Sequence, residues 1–150
     1  MGEKREQAMR LLRQMLAPEI LSQLAKGPTG PKFASDLGEM PMNNIFEPLW
    51  TDNTLDPRTR SFFTIAFLIA LRSTEQLDIH FPAAVRNGAT LDELEQVIYQ
   101  PSGYVGFPAA HSARSVAIAA LGRAGMFNRG EMSWIICRTR LPSSPAQEAG

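Results

Sequence analysis

An all-α fold is predicted by three observations. Apolar residues recur at helical spacing along most of the 150-residue chain. Helix starts are marked by Asp56-Pro57 and by Thr90 with Glu93, and no stretch alternates with period two for long enough to make a sheet. With 44% hydrophobic residues the chain can build one core of ordinary size. Residues 1–127 read as a single domain without internal repeats and 128–150 as a C-terminal extension. Its last residues, SSPAQEAG from 143, are too small and polar to order.

The elements follow in chain order. Residues 3–16 place Ala8, Leu11, Leu12, Met15 and Leu16 on one stripe against Lys4, Arg5, Arg10 and Arg13, which predicts a docking helix rather than a mobile basic arm. Between Gly27 and Pro41 three prolines and three glycines predict a loop, with at most a short helix around Phe33–Leu37. Asn43–Trp50 reads as a short helix despite Pro48. Asp56 caps a helix whose first residue, Pro57, has no N–H to waste there; it runs to about Leu71 and is apolar on most faces after Arg60, which predicts a central place in the core. Ser73 and Gln76 have the spacing of a capping box, Leu77, Phe81, Ala84 and Val85 form a buried face, and Gly88 supplies the left-handed end. Thr90 and Glu93 form a second capping box, for a helix through Leu94, Val97, Ile98 and Tyr99 that is interrupted by Pro101–Gly106. Pro108 opens an alanine-rich helix to Leu121, with Gly122 and Gly125 to end it. The apolar run Met132–Cys137 reads as a cover for a neighbour or a pocket mouth.

Composition narrows the function. The formal charge is zero, from 15 basic and 15 acidic residues, so neither nucleic acid nor an anionic membrane surface is the expected partner. The most apolar run, Phe62–Leu71, is shorter than the about 20 residues a spanning helix needs, and the N-terminus lacks a signal-peptide core. A lone cysteine, Cys137, leaves no intrachain disulfide and no paired-cysteine motif, which fits a cytoplasmic location, and it is expected to be dispensable. His80 lies one residue before Phe81 on the Ser73–Gly88 helix, within reach of a core edge or a pocket floor. The other histidine is His111. Two histidines with no carboxylate at matching spacing make a poor metal site, so no metal is expected.

The stretch TRSFFTIAFLIALRSTEQLDIHFPAAVRNGATLDELEQVIYQPSGYVGFPAA, Thr59 to Ala110, closely resembles the γ-carboxymuconolactone decarboxylase family. Carrying the likeness are Arg60 and Ser61, Ala70 and Leu71, Glu75 and Leu77, His80, Asn87 and Gly88, Thr90 with its acidic cluster, and Tyr104, Gly106 and Pro108. Weaker similarity extends through Phe46 to Leu55, with Trp50 as the second aromatic of a tryptophan-bracketed segment. The resemblance implies an all-α fold around a central helix hairpin, assembled as a homotrimer or homohexamer with sites near subunit contacts. It also implies loss of carbon dioxide from a carboxylated unsaturated lactone without metal or organic cofactor. In a sister branch the chemistry belongs to a Cys-x-x-Cys ahead of the histidine. Ser73 and Gln76 occupy those places here, so that thiol chemistry is closed. The chain departs from the decarboxylase pattern at Thr51–Leu55, where an Arg-Pro-Gly-Leu run is usual, at Pro82, and at His111.

Decarboxylation needs a sink for an electron pair and a proton for carbon. His80, with an ordinary pKa of about 6.5, is the expected general acid/base. Arg60 is expected to orient a carboxylate or to steady the enolate oxygen, and Arg72 to bind the substrate's charge. Glu75, five residues before His80, suits an orienting role. Tyr104, Trp50 and His111 complete the expected substrate surface, although Trp50 fits a core better than a substrate platform, Tyr104 equally fits a turn packed on the hairpin, and His111 equally fits a free surface. Two other functions stay open. One is a tailoring cyclase, isomerase or decarboxylase of secondary, polyketide-like metabolism on the same fold; the other is a non-catalytic oligomeric binding protein.

Overall fold

The structure is a computed structural model that describes residues 2–26 and 33–127. Its described elements are α1 (Glu3–Met15), α2 (Pro18–Lys26), a 3₁₀ turn (Ser35–Gly38), a π-helix (Met42–Trp50), α3 (Pro57–Ala70), α4 (Thr74–Arg86), α5 (Leu91–Val105) and α6 (Phe107–Arg123). No strand occurs among the described residues, and no helix there is long and apolar enough to cross a membrane. The expected all-α class is therefore the observed one.

Two predicted caps are built as the sequence specifies. The Asp56 carboxylate accepts from the Thr59 N–H at 3.0 Å. Thr90 Oγ1 accepts from the Glu93 N–H while the Glu93 carboxylate accepts from the Thr90 N–H, closing the box. Ser73 departs from expectation, because its side chain makes no cap bond. Its ψ is 76°, against 157° at Asp56 and 160° at Thr90. The extended backbone that aims a cap oxygen at the first turn is missing there.

Three further differences have physical causes. Helix α2 was not foreseen; Pro18 opens it and it follows α1 after a short break. The segment 42–50 is π-helical, with Pro48 inside it. An interior proline lacks one donor and crowds the preceding turn, which a widened helix relieves, and Thr51 Oγ1 donates to the Glu47 carbonyl at 2.6 Å. Pro101 does not interrupt α5, which continues to Val105. The Pro101 ring is buried, and Ser102 Oγ donates to the Tyr99 carbonyl at 2.7 Å within the disturbed turn. The stop lies at Gly106, whose φ of 92° suits glycine. Helix α4 likewise runs four residues past Pro82. Met132–Cys137 and the rest of the extension lie outside the described residues.

Two apolar clusters hold the fold. The larger joins Ile65 and Ile69 of α3, Leu77, Phe81 and Ala84 of α4, Leu94 and Ile98 of α5 and the alanine face of α6. The smaller joins Leu12, Met15 and Leu16 at the end of α1 to Trp50 and to Ala83 of α4. Among the described helices α4 alone contributes buried residues to both, so it is the wall they share. Ion pairs fasten its surroundings: Asp78 binds Arg123 of α6, and Arg5 of α1 reaches Glu39 and Glu47 at 2.8 and 3.1 Å. Helix α3 takes the expected central place through Ile65 and Ile69, but it is not covered on every side. Phe63, Phe67 and Leu71 are 53%, 64% and 76% exposed, so one side of this central helix is an open apolar face.

Candidate active site

His80 stands on a definite face of α4. Ser73, His80 and Asn87 are seven residues apart, a spacing at which a straight helix drifts by only about 20° per step. They therefore form one stripe. Its direction is set by Asn87, whose Nδ2 donates to Ser61 Oγ on α3 at 2.9 Å. Ser61 is 1% exposed and its hydroxyl donates in turn to the Pro57 carbonyl at 2.9 Å. The shared stripe thus directs the imidazole to the α3 side of α4, away from Asp78 and its partner on α6.

The ring retains some exposed surface while its Nδ1 is enclosed and has no hydrogen-bond partner among the described residues. Enclosure pushes its pKa below the ordinary value of 6.5, because the charged form loses hydration and no counter-charge replaces it. His80 is accordingly neutral at pH 7. A neutral, half-enclosed imidazole with a spare nitrogen can accept a proton, hold it beside an incoming anion and release it again.

The other expected site residues fall into separate places. Arg60 is turned away from the seam's centre: Nε donates to the Leu55 carbonyl at 3.1 Å and Nη2 to the Asp52 carbonyl at 2.7 Å, with the Asp52 carboxylate at 3.8 Å. Its neighbour Ser61 is level with Asn87, and seven residues back to His80 is about 10 Å along the helix. Arg60 therefore clamps the 52–55 loop at the near end of the seam. Arg72 is exposed in the α3–α4 turn, in the left-handed conformation at φ 56°. Glu75 is exposed in the first turn of α4, about 140° around the helix from His80, where its charge favours the helix start.

Trp50 is 8% exposed and packs in the smaller cluster, its ring 6.0 Å from that of Phe46. It borders α4 at Ala83 as a core residue. His111 is exposed on α6, twelve residues, or about 18 Å along the helix, from the Arg123 that pairs with Asp78. The two histidines do not converge within one chain. Tyr104 is 82% exposed and lines an open groove of about 550 Å³ between α3 and α5, with Phe62, Phe63, Ala66, Val97 and Pro101 as its apolar walls. Phe63 and Ala66 lie about 160° and 140° around α3 from Ser61, and Phe62 about 100°, so this groove is separate from the His80 seam. Among the described residues no three His, Cys, Asp or Glu side chains group closely enough to hold a metal ion.

The sequence reading included Ser61 and Asn87 as positions without a role. Their contact spans 26 residues, and only the hairpin register reveals it. The groove was missed altogether; the one available signal was the pair Phe62-Phe63, which on a single helix cannot both face one core.

A sequence model of the carboxymuconolactone decarboxylase family matches residues 35–119, from the 3₁₀ turn to late α6. A 4-carboxymuconolactone decarboxylase from Acinetobacter baylyi is 41% identical over 69 residues, which are 46% of this chain and 52% of that relative. The match thus spans about half the length of the relative.

Proposed function

The chain belongs to the carboxymuconolactone decarboxylase family, and from that premise we propose that it is a cofactor-free carbon–carbon lyase. It decarboxylates a carboxymuconolactone-like unsaturated lactone through an enolate, with His80 as the proton carrier. The observation that carries this reading is the enclosed, unpartnered Nδ1 of His80 on the helix shared by both clusters, inside the matched stretch. A buried polar atom without a partner is uncommon and costs stability, which a reactive role accounts for.

The chemistry balances without a further reagent. The substrate's carboxylate brings an opposite charge beside the neutral ring, which raises the ring's pKa and draws in one proton from solvent. The carbon–carboxylate bond then breaks, carbon dioxide leaves, and the electron pair passes into the conjugated lactone enolate. His80 gives its proton to carbon and is neutral again. Each turnover consumes one proton and releases one carbon dioxide. Arg72, exposed at the hairpin turn, is the proposed carboxylate contact, and Arg60 acts by holding the 52–55 loop. Glu75, Tyr104 and His111 keep their proposed supporting roles only if a second subunit brings them to the seam. The open apolar face of Phe63, Phe67 and Leu71 supports such an assembly, a homotrimer or homohexamer in the cytoplasm. A monodisperse monomer in light scattering sinks that part.

His80→Gln tests the reading. It should lower turnover of a carboxymuconolactone by about 10²–10⁴ while the helix content stays unchanged. A folded His80→Gln protein with full activity ends the proton-carrier role. Absence of carbon dioxide release by the wild type from any carboxylated lactone ends the decarboxylase reading.

A further inference from the structure

We propose that Asn87, acting through Ser61, is the positioning residue for His80. This rests on the reading of His80 as proton carrier. The α3–α4 hairpin is closed at one end by the covalent turn at Leu71–Ser73 and at the other by the bond from Asn87 Nδ2 to Ser61 Oγ, 2.9 Å long. His80 lies midway, seven residues from each end, on the very stripe that the two closures hold against α3. The other ties of α4 act elsewhere. Asp78 binds Arg123 of α6, and Arg86 donates to the Met15 carbonyl of α1 at 3.3 Å; neither residue shares the stripe of His80.

Ser61 is the buried polar residue of the described core. A hydroxyl at that depth is stabilising only while both its bonds are made, so the pair behaves as a unit. Breaking it frees the α4 end of the hairpin without touching the apolar packing of Leu77, Phe81 and Ala84. A shift of a fraction of an ångström at a reacting group is enough to cost rate, because its geometry must be held within about 0.5 Å. The charged groups around the seam do not set the state of His80. Arg60 of α3 is held by the Leu55 and Asp52 carbonyls, Arg5 of α1 by Glu39 and Glu47, and Asp78 and Arg123 by each other. Enclosure alone lowers its pKa, so the titration of the ring reports how well the hairpin is closed over it.

The test is an NMR titration of the His80 ring in the wild type, Ser61→Ala and Asn87→Ala, with urea unfolding of each. Ser61→Ala removes one oxygen from a helix and improves helical propensity, so it folds even if Asn87→Ala does not. Opening the seam should let water reach the ring and raise the His80 pKa toward its ordinary value. With a substrate in hand, turnover should fall about tenfold or more while KM holds. A His80 curve identical to wild type in Ser61→Ala overturns the proposal and leaves the pair a structural bond that moves only the urea midpoint. The titration is independent of activity, so an active His80→Gln protein would sink the proton-carrier reading and leave this result standing.

Discussion

Two adjacent residues of α4, Phe81 and His80, face different worlds. Phe81 is completely buried in the larger cluster. His80, about 100° around the helix, is half-enclosed at the α3 seam with one nitrogen unsatisfied. The first face is apolar, redundant and closed; the second is a polar stripe held at its ends. The difference teaches that stability and chemistry are assigned to separate faces of one helix, so substitutions one position apart should fail in different ways.

The largest expected effect is on the closed face. Phe81→Ala empties a site with no exposed surface and should cost about 3–5 kcal/mol in urea unfolding. A cost under about 1 kcal/mol would mean that the cluster collapses into the gap and that the face is not the rigid one. His80→Gln should move the urea midpoint far less at pH 7.5, and the contrast should sharpen with pH. His80 has a lowered pKa in the folded protein, so the unfolded chain binds the proton first as pH falls. Its contribution is complete above about pH 6.5 and is lost progressively below it, down to the folded value. Stability of the wild type should therefore decline from pH 6.5 to 5 more steeply than that of His80→Gln. Equal slopes in the two proteins would place the imidazole in water rather than in the seam.

Much of this division was legible in the sequence. Asp56-Pro57 and Thr90 with Glu93 mark helix starts because the residues that satisfy the free N–H groups are local, three positions apart. The buried stripe Leu77, Phe81, Ala84 is periodic, and His80 stands visibly beside it. What could not be read depended on backbone geometry or on distant partners. Ser73 has a capping residue's identity but not its ψ. Pro101 looks like a stop, yet its ring is buried and the helix goes on to Gly106. The Asn87–Ser61 bond and the clamp of Arg60 on the 52–55 loop require the hairpin register first, and no local pattern contains it. The bare side of α3 was hidden because FFTIAFLIAL is apolar all round, and such a run says that burial is wanted without saying by what.

The smallest effect is at the turn that closes the hairpin, where the two ends of α4 can be compared directly. After α3, Ser73 N–H donates to the Leu68 carbonyl and Arg72 N–H to the Ile69 carbonyl; after α4, Ala89 N–H donates to Ala84 and Gly88 N–H to Val85. The bonding is the same, with a left-handed residue in each. That residue is Gly88 in one, at φ 96°, and Arg72 in the other, at φ 56°. A side chain there costs about 1–2 kcal/mol, and glycine recovers it less the about 0.5–1 kcal/mol of extra freedom it has when unfolded. Arg72→Gly should therefore stabilise the protein by about 0.5–1 kcal/mol. Such strain persists where a side chain is required for something else, which is the basis for assigning the substrate carboxylate to Arg72. The same variant should weaken KM for the lactone while leaving the His80 titration unchanged. If Arg72→Gly gains stability and keeps its KM, the guanidinium has no ligand. If it loses stability, the side chain supports the turn, and the likeness to Gly88 ends at the backbone.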